Sequence, residues 1–168
     1  MKVIDDFLPS DQFQELQSLM LGNQFPWFFN DDILHEHNPN YNSNDYQFTH
    51  VFYNADPPWN GKASSLYSVL EPCLIKLGVR NLWRIKANLN PRTLFHRKGG
   101  YHRDVIPPIT TSIFYINTNN GWTQFKKGGR VKSRANRLVS FDSELEHTGV
   151  TCTDEKVRVL INFNYEQL

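Results

Sequence analysis

The chain has 168 residues, 39% hydrophobic and 14% aromatic, enough for one packed core, and its 18 Lys and Arg against 17 Asp and Glu leave a formal charge of +1. That balance excludes a global field drawing the chain onto nucleic acid or an anionic lipid surface, so any basic site must be local. No run approaches the roughly 18–20 apolar residues of a membrane span, Met1-Lys2-Val3-Ile4-Asp5-Asp6 turns acidic where a signal peptide is apolar, and Cys73 and Cys152 are too few for a disulfide framework or a thiolate zinc site; a soluble, cytoplasmic protein is expected, in which His and carboxylates must hold any metal.

In chain order, the first predicted element is a helix entered at Pro9-Ser10-Asp11, with Ser10 as the cap, Phe13, Leu16, Met20 and Leu21 at helical spacing, and Gly22 as the stop. Residues 23–60 are rich in Asn, Asp, Pro and aromatics; within them Tyr46 to Tyr53 nearly alternates and predicts a strand between long polar loops. A second helix is predicted over 64–77, with Leu66, Val69, Leu70, Cys73, Leu74 and Leu77 on one face, Pro72 as a kink and Gly78 as the stop. Short strands follow at about 82–89, 101–105, 109–117, 137–141, 147–151 and 157–165, separated by turn clusters such as Gly99-Gly100, Asn119-Asn120-Gly121 and Gly128-Gly129. Many short strands after N-terminal helices predict a two-sheet sandwich or open barrel in one domain, 1–168, with helical support over about 1–80 and a β core over about 81–168.

Tyr101-His102-Arg103-Asp104 is the most informative segment. In a strand, His102 and Asp104 share a face, which makes half of a metal site; a hydrogen-bonded pair is the plainer alternative. The usual completion is a second His, giving a facial triad suited to Fe(II), and His147 is the one His downstream. Arg158 opens an alternating strand with Leu160 and Asn162 on its face and Val159, Ile161 and Phe163 on the other. A guanidinium there suits a dianionic small acid, with Lys156 as the rival cation. The remaining His are weaker: His35 and His37 fall in an Asn- and Pro-rich loop, His50 in an aromatic strand where it satisfies a core or cleft hydrogen bond, and His96 in the basic turn Arg92 to Lys98. That turn and the run from Lys126 to Arg137 read as solvated faces that could also attract phosphates or an acidic or extended peptide.

His102-Arg103-Asp104, Thr111 to Asn117, Gly128-Gly129, Asn136 to Ser143, His147 and Arg158 follow one another in an order that resembles the prolyl-hydroxylase branch of the Fe(II)- and 2-oxoglutarate-dependent dioxygenases, over about residues 82–165. The resemblance implies a mainly β double-stranded β-helix, a jelly roll of the cupin-like type with supporting helices. It implies His102, Asp104 and His147 as iron ligands, Arg158 on the distal carboxylate of 2-oxoglutarate, Tyr115 helping to hold that carboxylate and Asn88 lining the co-substrate pocket. The segments 122–127 and 130–134 depart from the family pattern, which predicts unusual covering loops.

Such a site would couple oxidative decarboxylation of 2-oxoglutarate by O2 to hydroxylation of a C–H bond, with ascorbate as a further candidate cofactor. The expected substrate is a peptidyl or protein side chain, proline first, and not nucleic acid or membrane. A free amino acid or other small molecule, a nucleic-acid demethylase of the same superfamily and a catalytically silent jelly-roll binding module are the rivals. Trp27-Phe28-Phe29 and Trp59 could line the substrate pocket.

Overall fold

The computed structural model describes residues 1–31, 46–58, 60–104 and 109–167. His35, Glu36, His37, Trp59 and Val105 lie outside the described residues. The elements run β1 (Lys2–Ile4), α1 (Ser10–Leu21), β2 (Phe28–Asn30), β3 (Gln47–Asn54), β4 (Gly61–Lys62), a 3-10 helix (Ser65–Leu70), α2 (Glu71–Leu77), β5 (Val79–Pro91), β6 (Thr110–Tyr115), β7 (Trp122–Phe125), β8 (Arg130–Lys132), β9 (Arg137–Asp142), β10 (His147–Val150) and β11 (Val157–Gln167). An eight-stranded sheet has the order β1-β9-β6-β11-β5-β3-β2, with β4 on β3, and a three-stranded sheet the order β10-β7-β8. All these pairings are antiparallel, and the two sheets form the predicted jelly roll.

Four strands, β1 to β4, come from the first 80 residues, so the N-terminal part is not only helical support. In α1, Phe13, Leu16 and Met20 are buried as expected, while Leu21 is 42% exposed. Pro9, not Ser10, stands at the N-cap: its fixed φ of −51° and extended ψ turn the chain into the helix, and its carbonyl accepts from Phe13 N at 2.9 Å. Gly22 ends α1 in extended backbone; a Cβ there would meet the Ser18 carbonyl at 2.8 Å, so close approach is what requires glycine.

The continuous helix predicted over 64–77 is instead a 3-10 helix followed by α2. Pro72 has no N–H for the Ser68 carbonyl, and Glu71 N–H bonds that carbonyl in the tighter 3-10 pattern, which leaves Pro72 in the first turn of α2, where a proline costs little. Ser64 Oγ caps the first piece by accepting from Leu66 N. Gly78 ends the second in the left-handed conformation, at φ 62°.

Alternation along β11 sorts two cores. Val159, Ile161 and Phe163 join Phe13, Leu16, Met20, Leu70, Cys73 and Leu77 in a core between the large sheet and the helices. Phe114, from β6, is fully buried there, with Phe7 and Phe13 edge to face at 5.3 and 5.8 Å. On the opposite face Leu160 joins Ile113, Tyr115, Phe125, Val131, Val139 and Phe141 between the two sheets. Asn136 ties the N-terminus to this frame: at φ 61° its side chain donates to Leu8 O and accepts from Leu8 N, both at 2.8 Å, while its carbonyl accepts from Phe7 N.

Over the described residues 101–104 the predicted strand does not form. A single antiparallel bridge joins His102 to His147, with reciprocal N–H···O bonds of 3.0 Å. Glycines at 99 and 100 precede the bridge and prolines at 107 and 108, which have no N–H to give a ladder, follow it in sequence.

Candidate metal and anion site

The bridge brings the two imidazoles together, with ring centroids 4.8 Å apart, and turns Asp104 in between them. Asp104 Oδ1 lies 3.6 Å from His102 Nε2 and 3.8 Å from His147 Nε2, and one ligand atom from each of the three residues falls within 4.8 Å of the others. Both Nδ1 atoms face backbone carbonyls two residues earlier, Gly100 O at 3.2 Å and Leu145 O at 3.0 Å. An Nδ1–H donated to each carbonyl leaves both Nε2 lone pairs directed at the common point, the arrangement a metal requires. Two neutral nitrogens and one carboxylate oxygen form a set that suits Fe(II) and leaves coordination positions open.

Burial alone would raise the Asp104 carboxyl, but the neighbouring His102 imidazole and the charges of His147 and Arg84 outweigh it, so it is held far below the ordinary carboxylate range. Burial lowers His147, with Asp104 offsetting only part of that. In His102 burial is overcome by Asp104, and the ring is raised. The outer oxygen of Asp104 accepts from Asn164 Nδ2 at 3.3 Å; that amide also donates to Thr111 Oγ1, and its own oxygen accepts from Arg84 Nε at 3.2 Å.

Arg158 is 2% exposed, and among the described residues no carboxylate lies within 4 Å of it. Its Nε donates to Ser133 Oγ at 2.9 Å and its Nη2 to Thr123 Oγ1 at 3.1 Å, while the guanidinium carbon stands 5.7 Å from the Tyr115 ring centre. Burial disfavours the charged guanidinium, an effect that a bound anion would offset. Gly121 makes room for its stem: a Cβ there would meet Arg158 Cδ at 2.8 Å. Lys156, the rival cation, is exposed and lies off the cavity.

His102, Asp104, His147, Arg158 and Asn88 all line one cavity of about 620 Å³. Tyr115 does not line it; burial raises its phenol, which donates to Thr123 Oγ1 at 2.7 Å, so it reaches the cavity through the hydroxyl that also receives Arg158. The amide oxygens of Asn88 and Asn162 are buried with no hydrogen-bond partner among the described residues, although both residues line the cavity. The register sets Asn88 opposite Leu160 and Asn162 opposite Lys86, so the two orphaned oxygens sit diagonally on one face of β5 and β11. Such oxygens require donors from water or a ligand.

Thr123, Ser133, Arg84 and Asn164 support the site without having been singled out in the sequence. The departures at 122–127 and 130–134 contain β7 and β8 of the small sheet and supply Thr123 and Ser133 to Arg158. Asn164 extends the Arg158, Leu160, Asn162 alternation by one step, the signal that could have found it. The aromatic wall predicted from Trp27-Phe28-Phe29 is not there: Trp27 packs on the helix-side core, and Phe28 and Phe29 are exposed on the terminal strand β2, which turns Asn30 to the cavity. His50 is a core histidine, between Pro26 O and Ser64 Oγ at 2.8 Å each, and burial lowers it. Of the basic runs, the later one gives Lys126 to Glu146, Arg134 and Arg137 to Asp5 and Arg130 to the Trp122 ring, while Arg92 and Arg97 of the earlier one line the cavity.

No family model matches the chain, and no curated protein matches it in sequence. Solved structures do match in fold. A viral collagen prolyl hydroxylase from Paramecium bursaria Chlorella virus-1, in complex with 2-oxoglutarate, is 12% identical at a TM-score of 0.63, over 99% of this chain and 96% of its own. An oxidoreductase of the 2-oxoglutarate-Fe(II) oxygenase family from Burkholderia pseudomallei is 8% identical at 0.65, over 98% and 84%. A prolyl hydroxylase from Trichoplax adhaerens, in complex with a peptide fragment of the hypoxia-inducible factor oxygen degradation domain, is 14% identical at 0.55, over 98% and 83%. The resemblance read from the sequence therefore holds at the level of the fold.

Proposed function

We propose that the chain is an Fe(II)- and 2-oxoglutarate-dependent oxygenase that hydroxylates a peptidyl side chain, with proline as the leading substrate. The observation that carries this is the sharing of one cavity by the His102, Asp104 and His147 cluster and by Arg158, a buried cation with no acid partner among the described residues. The peptide bound by the Trichoplax neighbour supports a peptide as the kind of substrate.

In this reading His102 and His147 hold Fe(II) through Nε2 and Asp104 through Oδ1. Bound iron would activate O2 with 2-oxoglutarate as the reductant, so that one oxygen atom enters a substrate C–H bond and succinate and CO2 leave. Arg158 anchors the distal carboxylate of 2-oxoglutarate by charge-assisted hydrogen bonds. Ser133 and Thr123 fix the guanidinium plane, and Tyr115 fixes Thr123. Asn164 and Arg84 aim Asp104, while Leu160 and Ile113 give the cavity an apolar floor that excludes water.

Anaerobic titration of the protein with Fe(II) and 2-oxoglutarate is expected to produce a weak visible charge-transfer band, lost in His102→Ala and Asp104→Ala with the fold intact. Absence of the band in folded wild-type protein would refute the reading. Succinate release stimulated by a proline-containing peptide, and not by free proline, is the expected substrate result.

A further inference from the structure

The cavity concentrates charge far beyond the balance of the chain. Arg84, Lys86, Arg92, Arg97, Arg103 and Arg158 line it, a third of all the Lys and Arg, against the single carboxylate of Asp104 among the described residues. Arg158 is committed to the co-substrate and Asp104 to the metal in the function proposed above, on which this inference rests. Lys86 and Arg97 have partners within the chain and Arg84 is engaged by Asp104 and Asn164, which leaves Arg92 and Arg103 to meet a further ligand. Arg92 and Arg103 are exposed, and no carboxylate of the described residues lies within 4 Å of either. Register spreads the donors: Arg84, Lys86, Asn88 and Asn90 share the cavity face of β5, opposite Asn164, Asn162, Leu160 and Arg158, a row about 20 Å long at the usual rise of a strand.

We infer that the substrate is an acidic peptide, whose Asp or Glu side chains flank the hydroxylated residue and are held by Arg92 and Arg103 at the rim. Guanidinium groups bind carboxylates in bidentate fashion, and charges at a rim steer and discriminate partners. Two features favour a peptide over a nucleic-acid strand. Strand β2, which ends the large sheet and gives Asn30 to the cavity, has no partner on its outer edge among the described residues, and a free edge recognises an extended backbone. The exposed aromatics beside it, Phe29 and Tyr46, both meet Phe48 edge to face, at 71° and 83°, rather than standing as parallel platforms for bases. Between Arg92 and Arg97, Leu94 and Phe95 are 92% and 80% exposed, on a loop pinned by Thr93 N to Cys152 O and Arg97 N to Thr151 Oγ1, an apolar contact for the same peptide.

The test is fluorescence anisotropy with three labelled probes: a proline-containing peptide flanked by Asp and Glu, its Asn and Gln counterpart, and a single-stranded oligonucleotide of equal charge. The acidic peptide is expected to bind about tenfold more tightly than its neutral counterpart at low salt, the advantage fading once the Debye length falls to a few ångströms. Arg92→Glu, and separately Arg103→Gln, should each cost the acidic peptide about three- to tenfold and the neutral one less than about twofold. Equal affinity for the two peptides, or tighter binding of the oligonucleotide, would overturn the inference. Anisotropy needs no metal, so a missing charge-transfer band would sink the oxygenase reading separately, while an intact band with equal peptide affinities would sink only this one.

Discussion

Replacing Arg158 by methionine should act in opposite directions on ligand binding and on stability. Two charge-assisted hydrogen bonds to a carboxylate contribute about 1.5–3 kcal/mol each, so Arg158→Met is expected to weaken 2-oxoglutarate binding by about two orders of magnitude or more. Without ligand the balance reverses. The guanidinium is 2% exposed and, among the described residues, is met by two neutral hydroxyls, at 2.9 and 3.1 Å, and the Tyr115 ring. Desolvating a charge costs several kcal/mol, and those contacts return only part of it. Methionine refills much of the stem's volume, and Thr123 Oγ1 keeps its hydrogen bond from Tyr115, so the ligand-free variant should be as stable as the wild type or more so by about 1–2 kcal/mol.

Urea unfolding with and without 2-oxoglutarate reads both effects. At about a hundred times the wild-type dissociation constant the co-substrate should stabilise the wild type by about 2.7 kcal/mol and the variant by no more than about 0.4 kcal/mol. Lys156→Ala, at an exposed site off the cavity, should behave as wild type. Unchanged co-substrate affinity in Arg158→Met would refute the anchoring role, and a ligand-free loss of about 3–5 kcal/mol would show that Arg158 is a structural cation with a partner of its own.

Asn164→Ala frees the outer oxygen of Asp104 and should lower Fe(II) affinity about tenfold or more, read by calorimetry under anaerobic conditions, with the fold retained by circular dichroism. Asn136→Ala leaves the Leu8 N–H and carbonyl without partners and places alanine at φ 61°, so a loss of about 3–5 kcal/mol in denaturant unfolding is expected; a loss below about 1 kcal/mol would mean that water serves those groups equally well. In Asp5, the Arg137 hydrogen bond and the charges of Arg137 and Arg134 prevail over burial and lower the carboxyl below its ordinary 3.8. Its contribution is therefore present above that value and lost as pH falls through the folded-state value; because the side chain is 37% exposed, Asp5→Asn should cost only about 0.5 kcal/mol at neutral pH, with the wild-type and variant unfolding curves converging in acid.

Features governed by period and local backbone chemistry were legible in the sequence. The alternation from Val157 to Tyr165 correctly assigned Val159, Ile161 and Phe163 to one core and Arg158, Leu160 and Asn162 to the other face, because a strand has no freedom in that choice. Gly78 marked a helix end because the left-handed position it fills excludes most side chains. Short elements whose stability comes from partners were missed: β1 is three residues long and exists because β9 receives it, and β7 carries no pattern beyond Trp122 and Phe125. The order of His102, Asp104, His147 and Arg158 pointed to one cavity, but through a strand that does not form. His102 and Asp104 converge through a single bridge and a bend, and the ladder that would impose alternation is absent there.

Net charge was the least informative quantity, for a physical reason. A sum over the chain is blind to where the fold places each group, and here acids and bases are sorted by register. Asp5 is drawn to Arg134 and Arg137 and Glu146 to Lys126, pairs that offset part of the later basic run at the surface. Every second residue of β5 from Arg84 to Asn90 turns to the cavity, and none of them is acidic. The near-zero total therefore hides a positive cleft, whose field low-dielectric walls would focus on any ligand entering it. A metal held by one buried carboxylate adds to that field rather than cancelling it. Neutral substrates gain nothing from such an environment, whereas an anionic one recovers on entry part of the cost of holding these cations together, which is why acceptor charge is the first property to vary in a search for the substrate.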